Sequence, residues 1–421
     1  MAIDTLGANA LASNSVTTAK IANDAVTGAK IPADAVVATD IADGSITTAK
    51  IADDAVSSAK LFAENLGRRN IVINGAMEIA QRGASATGKG ASSFFQLDRF
   101  RQNHNGNSAG RYTVTRDGSS GSVHDGFTRS LKLACTTADT SIGSSERFFI
   151  EYPFEGRDLQ QFRKGSSDAK DFVVSFYAKA NGNFTYVVGF YDNDNNRTVS
   201  RTFAVTSSWQ RFTINFGADT SGAFDNDNAL SLQLRFYLHA GSGYTSAALQ
   251  TSWNAVNNAA TAGGMTSSFY SSTSNTFFLT GVQLEVGDKS DGTSTATPFE
   301  HRSFYEEHYL CSRYYRAVGR IMQGYREGYS TAAITLYPGM RRIGNDATNI
   351  VGTIGGSGVM YSRSGVNDST GTLNGTIGHS SSSNDQALQV TFSHNGASTG
   401  SSYNGTVGAL YVDGVTFDAE L

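Results

Sequence analysis

From Thr5 to Glu64 the chain repeats every ten residues, and a ten-residue period with aliphatics spaced by five fits neither regular element. The copies read SVTTAKIAND, AVTGAKIPAD, AVVATDIADG, SITTAKIADD and AVSSAKLFAE, after a degenerate TLGANALASN. Each places one aliphatic at its second position and another at its seventh: Leu6/Leu11, Val16/Ile21, Val26/Ile31, Val36/Ile41, Ile46/Ile51 and Val56/Leu61. On one long helix, five residues turn the chain by roughly 140°, which scatters these side chains around the axis. On a flat strand, an odd spacing sends successive aliphatics to opposite faces. The Asp-Asp, Asn-Asp and Asp-Gly pairs that close most copies are turn chemistry, so short legs bent at every repeat are expected.

Two medium aliphatics per copy are too few for one chain to bury a core. Either the segment is a flexible linker, or identical chains wind together so that each aliphatic meets its copies. A maintained period favours winding, with Val16, Ile21, Val26, Ile31, Val36, Ile41, Ile46, Ile51, Val56 and Leu61 as the stalk core.

After Leu66 the composition changes. Across the 421 residues there are 45 Gly, 25 Phe and 18 Tyr but only 4 Pro, and 17% of residues are charged. Aromatic-rich runs separated by Gly and Asn/Asp turns read as strands: SLKLAC (130–135), RFFIEYPF (147–154), DFVVSFYAKA (171–180), FTYVVGFY (184–191), SSWQRFTINF (207–216), LSLQLRFYL (230–238) and NTFFLTGVQLEV (275–286). Without intervening helical patterns, they predict a jelly-roll β-sandwich. The run Ile71-Val72-Ile73 meets an Asn74-Gly75 turn.

RNIVINGAMEIAQRG with FFQLDRFR (94–101) resembles the opening of many tailed-phage tail-fibre and related virion proteins. The stretch FFLTGVQLEVGDKSDGTSTATPFEHRSFYEEHYLCSRYY (277–315) resembles the same family more closely. FVVSFYAKA and SSWQRFTINF look like strands of a carbohydrate-binding-module jelly roll, and TTAKIADDAV resembles decads of phage fibre stalks. The resemblance covers roughly residues 5–316. It implies a virion fibre, usually a homotrimer, that helps the particle meet its host, and it brings no catalytic motif.

Ser303-Phe304-Tyr305-Glu306 fits a capping box, predicting a helix that runs through Tyr309, Leu310 and Tyr314 and stops near Gly319. Beyond it, AAITLYPGMRR, TNIVGTIGG, GVMYSR, TLNGTIG, QALQVTFSHN and VGALYVDGVTFDAEL are short β-prone runs broken by Gly and Ser. The expected organisation is mainly β: an oligomeric stalk and virion anchor at 1–66, a jelly roll at 67–305, a linking helix at 306–316, and a small β-domain at 317–421 as the candidate distal receptor-binding tip.

Motifs that carry chemistry are sparse. Gly106-Asn107-Ser108-Ala109-Gly110 and Gly396-Ala397-Ser398-Thr399-Gly400 match G-x-S-x-G, but neither is followed by the helix that a nucleophile elbow needs. Gly83 to Gly90 misses the phosphate-binding loop, with Gly90 where a hydroxyl should hold magnesium. Glu300, His301, Glu306, Glu307 and His308 gather possible ligands without a metal-site spacing. Asp192-Asn193-Asp194-Asn195-Asn196 and Asp225-Asn226-Asp227-Asn228 resemble calcium-loop starts but lack the closing glutamate, so hairpin turns read better. No cofactor is expected, calcium at those turns being the alternative. Cys135 and Cys311 are expected to be free and buried.

For a sugar ligand, exposed aromatic rings matter most. Trp209, at a strand start, is expected in the core; Trp253, in ALQTSWNAVNNAA, is the surface candidate, with Tyr244, Tyr270 and Tyr403 in Gly/Ser/Thr loops. A net charge of -4 speaks against nucleic acid, and no apolar run is long enough for a membrane helix. MAIDTLGANALAS lacks the basic start of a secretion signal, so synthesis in cytoplasm is expected; the resemblance implies that this is the host's and that the protein resides in the virion. The expected partners are further copies of the chain, tail or other virion proteins at the N-terminal region, and a host polysaccharide or protein receptor. The expected function is non-enzymatic host attachment through weak, multivalent glycan contacts. A head fibre or tail connector without receptor binding is one alternative; a polysaccharide-cleaving fibre is another, although nothing in sequence pairs its carboxylates.

Overall fold

The computed structural model describes scattered positions between 17 and 51, residues 69–316 apart from 107, 288–291 and 293, and beyond 316 only the backbone of short strands. The chain divides into two units, Met1–Phe62 and Ala63–Leu421.

In the first unit, bends fall at Ile21, Val26, Ile31, Val36, Ile41, Ile46 and Ile51. Turns follow them: Ala25 N donates to Ala22 O, Lys30 N to Thr27 O, Asp40 N to Val37 O, Ser45 N to Ala42 O and Lys50 N to Thr47 O, all at 2.8–3.1 Å. The chain therefore turns twice per ten-residue copy rather than once, because the aliphatic spacing of five, and not the full decad, is the structural period. These aliphatics are 41–57% exposed within one chain. Val16, Val56 and Leu61 lie outside the described residues.

The second unit is mainly β. One six-stranded antiparallel sheet runs in the order β1 (Ser85–Lys89), β4 (Arg111–Asp117), β5 (Ser130–Thr137), β13 (Thr276–Val286), β7 (Phe172–Ala180), β10 (Gln210–Phe216). The facing seven-stranded antiparallel sheet runs β12 (Asn254–Ala255), β9 (Arg197–Val205), β8 (Phe184–Asp192), β11 (Leu230–Ala240), β6 (Arg147–Glu155), β3 (Phe100–Asn105), β2 (Phe94–Leu97). All seven apolar runs named from sequence are strands. Alternation sorts each one: Leu232, Leu234, Phe236 and Leu238 of β11 point inward beside Phe148, Ile150, Tyr152 and Phe154 of β6, facing Phe172, Val174 and Phe176 of β7. The result is a β-sandwich of jelly-roll type around one aromatic-rich core.

The segment entering at Arg69 is tied into this unit. Ile71 N donates to Leu284 O (3.0 Å) and Val282 N to Gly75 O (3.0 Å). Asn74 takes a positive φ of 61°, and its amide group bonds Ile79 and Asp98 backbone, which fixes the turn read from Asn74-Gly75.

A helix of four residues, α1 (Ser242–Thr245), begins the long loop after β11. The second, α2 (Phe304–Cys311), is capped as expected: Ser303 Oγ accepts from Glu306 N at 3.2 Å. It starts two residues before 306 and ends well short of Gly319. Arg313 is drawn into paired bonds with Glu155 (3.0 and 2.7 Å), and Tyr314 is buried with Arg99 at 3.4 Å over its ring, so the chain leaves the helix for the body of the sandwich. A strand, Tyr315–Ile321, follows at once and pairs antiparallel with Val412–Asp418; Thr331–Leu336 pairs with Leu388–Ser393. Among the described residues, no helix is long and apolar enough to cross a membrane.

Candidate functional site

The outward residues of the seven-stranded sheet do not follow the polar, solvated pattern usual for a free sheet face. Strand register aligns Arg101 (β3), Glu151 (β6), Arg235 (β11), Gly189 (β8) and Ser200 (β9) in one row across five strands. The next row carries Pro153, Gln233, Tyr191 and Thr198; the row on the other side carries Asn103, Phe149, Tyr237, Val187 and Thr202.

One end of this face is closed. Phe149, Val187 and Tyr237 form a second small core with Ala240 and Ala262, against which Tyr244, Leu249 and Met265 of the 241–266 loop pack. The loop is held by Ala262 N to Tyr244 O (3.0 Å), Ala247 N to Ala259 O (2.9 Å) and, along the edge of β9, Ser200 N to Gln250 O (2.8 Å).

Beside that lid lies a charged, aromatic stretch. The Arg235 guanidinium sits 4.2 Å from the centre of the half-buried Tyr191 ring and 5.0 Å from that of Phe149. Its Nη2 donates to Gln233, and its Nε stands 3.6 Å from Glu151 Oε2, too far for a hydrogen bond. Glu151 Oε1 meets Arg101 and accepts from Asn103 Nδ2 at 3.3 Å. Nearby, the Arg147 guanidinium lies 4.5 Å from the Tyr244 ring centre. Four buried polar atoms here have no hydrogen-bond partner: Glu151 Oε2, Arg235 Nε, Arg147 Nε and Ser200 Oγ. Gly189 matters to this row because a Cβ there would come 2.4 Å from Ser200 Oγ and 2.5 Å from Val199 O, so only glycine leaves that hydroxyl its place. The face thus presents an arginine laid on a half-buried tyrosine ring, backed by a buried carboxylate that is ion-paired on both oxygens.

The aromatics nominated from sequence fall differently. Trp253 is buried in the main core at 9% exposure; its Nε1 donates to Gly217 O (2.9 Å), and its ring lies 5.3 Å from Phe172 and 6.1 Å from Phe190. Its surface placement is thereby corrected: β12 pairs with the edge of β9 and turns the preceding ring inward. Tyr270 is also fully buried, stacked on Phe148 with its hydroxyl 3.2 Å from His104 Nε2, because Gly110 leaves room for its ring. Tyr244 is half-buried at the lid, and Tyr403 lies outside the described residues. Conversely Trp209, expected in the core, is half-exposed at the start of β10, 6.2 Å from Phe278 and 5.4 Å from Lys179 Nζ. Tyr191, Arg235 and Glu151 were not singled out from sequence; their alternation with core residues in FTYVVGFY, LSLQLRFYL and RFFIEYPF was the available signal.

The other motifs resolve into structure. Ser108 Oγ donates to Asp139 Oδ2 (2.7 Å) and accepts from Gly110 N (3.1 Å), and strand β4 rather than a helix follows; Gly396 to Gly400 lies outside the described residues. The Gly83–Gly90 stretch contains edge strand β1. Glu307 is committed to Arg302 (2.9 Å) and the Asn74 amide, and Glu300 accepts from Asn70 N (2.7 Å). Among the described residues no three His, Cys, Asp or Glu side chains gather as a metal site. At the Asp192 turn the cation is Lys164: its fully buried Nζ lies 2.6 Å from Asp192 Oδ2, 3.2 Å from Asp219 Oδ2, 2.8 Å from Ser221 O and 2.6 Å from Gly222 O. Asp194 and Asp227 accept turn amides from Asp225 and Ala229. Cys135 and Cys311 are buried and form no disulfide, as expected.

No protein-family model and no curated protein matches the chain. Among solved structures, a family 11 carbohydrate-binding module from Clostridium thermocellum, in complex with a β-1,3-1,4-mixed-linked tetrasaccharide, aligns at 10% identity over 48% of this chain and 95% of that one, with a TM-score of 0.25. A CBM4 module aligns at 14% identity over 51% and 97%, TM-score 0.26. The enzymatically active domain of bacteriophage CBA120 tailspike protein 4 aligns at 10% identity over 52% of this chain and 21% of that one, TM-score 0.26. At these scores the likenesses assign no activity.

Proposed function

We propose that this chain is a non-enzymatic virion appendage protein, a phage tail fibre, whose repeat winds identical copies into a homotrimer and whose sandwiches bind host-surface glycan. The observation that carries the binding reading is the half-buried Tyr191 ring with the Arg235 guanidinium 4.2 Å from its centre, beside the ion-paired row of Arg101, Glu151 and Arg235. The Tyr191 ring takes the apolar face of a sugar, while the guanidiniums of Arg101 and Arg235, held by Glu151, take its hydroxyls.

Weak single-site affinity suits this arrangement, because three tethered sites raise avidity by orders of magnitude without new contacts. The exposed aliphatics of the repeat support assembly: each is a surface that a single chain leaves in water. The N-terminal region is assigned to the particle and the residues after 316 to the distal side. No covalent step and no cofactor enter this role.

The test is binding of the full chain to a glycan panel and to whole host cells, beside Tyr191→Ala. Saturable glycan binding that Tyr191→Ala weakens at least about tenfold, with unchanged thermal unfolding, is expected. Cell binding that Tyr191→Ala leaves intact would move the receptor site elsewhere, and no binding at all would favour a head fibre or connector.

A further inference from the structure

Helix α2 is built inside out. Its buried positions are Glu307 and Cys311, while Phe304 (55%), Tyr305 (86%) and Tyr309 (74%) stand in water. A helix at a protein surface normally does the reverse. Outside the repeat, Ile142 is the one other exposed large hydrophobic among the described residues, so exposed apolar surface in this unit is concentrated on one short helix.

The inversion is enforced. Arg302 Nη1 donates to Glu307 Oε1 (2.9 Å) and to Val72 O (3.0 Å), and Glu307 also accepts from Asn74 N. Arg302 Nη2 donates to Asn70 O, and Asn70 N to Glu300 Oε2 at 2.7 Å. These bonds pin the helix against residues 70–74 and turn its aromatic side outward.

Where the helix sits decides what covers it. Residues 70–74 directly follow Arg69, where the chain coming from the repeat enters this unit. Only six residues separate Phe62 from Arg69, and the seven steps between them span at most roughly 25 Å of chain. Copies of the chain held together through the repeat therefore meet one another at high effective concentration. Tyrosine and phenylalanine are the residue types enriched in protein–protein contacts.

We infer that the Phe304/Tyr305/Tyr309 face of α2 is a self-association surface that packs against the equivalent helix, or the sandwich wall next to it, in another copy of this chain. It is a second contact added to the assembly proposed above, and it does not require that the repeat form a trimer.

The experiment uses the full chain. Tyr309→Cys is labelled with a maleimide-benzophenone, the native cysteines being buried, and is irradiated beside an Ala204→Cys control at an exposed position on β9. Adducts at two and three chain masses, at least about tenfold above the control, are expected. Adducts confined to one chain and mapping to residues 317–421 would give the face to that segment and overturn the inference, as would labelling no better than the control.

A paired variant, Tyr305→Lys with Tyr309→Lys, should raise the concentration at which the assembly dissociates about tenfold while leaving thermal unfolding unchanged; no change in that concentration overturns the inference. Ile31→Asp with Ile41→Asp probes the repeat separately. If that pair leaves the solution mass intact while the lysine pair lowers it, the repeat reading fails and the helix face stands.

Discussion

Ile41 of the repeat is 43% exposed, whereas Leu232 and Leu234 of β11, of the same size and hydrophobicity, are fully buried. The difference is one of spacing. In β11 the aliphatics recur every second residue, which is the period of the strand, so they share a face and a facing sheet covers them. In the repeat they recur every fifth residue and a turn intervenes each time, so no face accumulates. Within one chain, hydrophobic residues form a core only when their spacing matches an element's own period, and those of the repeat stay in water.

The sharpest way to break this comparison is one core deletion beside one repeat substitution. Phe236→Ala, between Phe176 and Phe203 at 5.0 and 6.3 Å, is expected to cost about 3–5 kcal/mol and to lower the thermal midpoint of the sandwich sharply. Ile41→Asp should leave that midpoint in place and act on the solution mass. Calorimetry and light scattering on the same samples read both effects. A sandwich transition that moves with Ile41→Asp would mean that the two units stabilise each other.

A second contrast lies in titration, since the titrating histidines belong to the sandwich. His104 is pushed down to about 3, first by burial and then by His239 and Arg111; His239 is pushed to about 4 by burial, against the pull of Asp139. The unfolded chain takes up these protons near 6.5, whereas the folded chain refuses them until far lower pH. Stability is therefore present above about 6.5 and drains as pH falls toward 4, by up to about 2 kcal/mol per histidine at pH 5. Asp139, held low by Ser108 and the Ala109 and Ser141 amides against the burial that would raise it, adds to the loss; Glu146, raised by burial, opposes it. Thermal midpoints measured from pH 7.5 to 4.5 should fall for the native chain and fall less for His239→Gln. A flat profile would mean that these rings take up protons without unfolding.

Much of the sandwich was legible because seven of its strands bury continuous or alternating apolar residues. The strands missed, β1 to β4, β9 and β12, are short or interrupt their inward apolar positions with polar residues. In FRQNHN, two of the three inward places are Gln102 and His104; in RTVSRTFAV, Arg201 pairs with the core residue Val188. The two tryptophans exchanged expected places for a related reason. Local polarity says nothing of which carbonyl an indole will reach, and Gly217 O claims Trp253. The candidate site was the least legible part, because Arg101, Glu151 and Arg235 come from three distant segments and meet only through register. The helix cap, by contrast, is local chemistry and was readable, while the helix end was set by the distant Glu155.

The smallest effect on stability, and the one that sharpens the site, concerns the two outer faces of the sandwich. Arg235→Lys keeps a positive charge but loses the planar group that lies on Tyr191 and reaches Gln233. Glu151 retains Arg101 and Asn103, so its charge stays compensated and the folding free energy should change by no more than about 1 kcal/mol. If stacking orients the ligand, glycan binding by Arg235→Lys falls about tenfold; if charge alone matters, it is unchanged. Trp209→Ala, on the six-stranded side, is the matched control and should leave binding intact. Loss of binding in Trp209→Ala with full binding in Arg235→Lys would transfer the site to the opposite sheet, where Trp209, Phe278 and Lys179 form the competing aromatic surface.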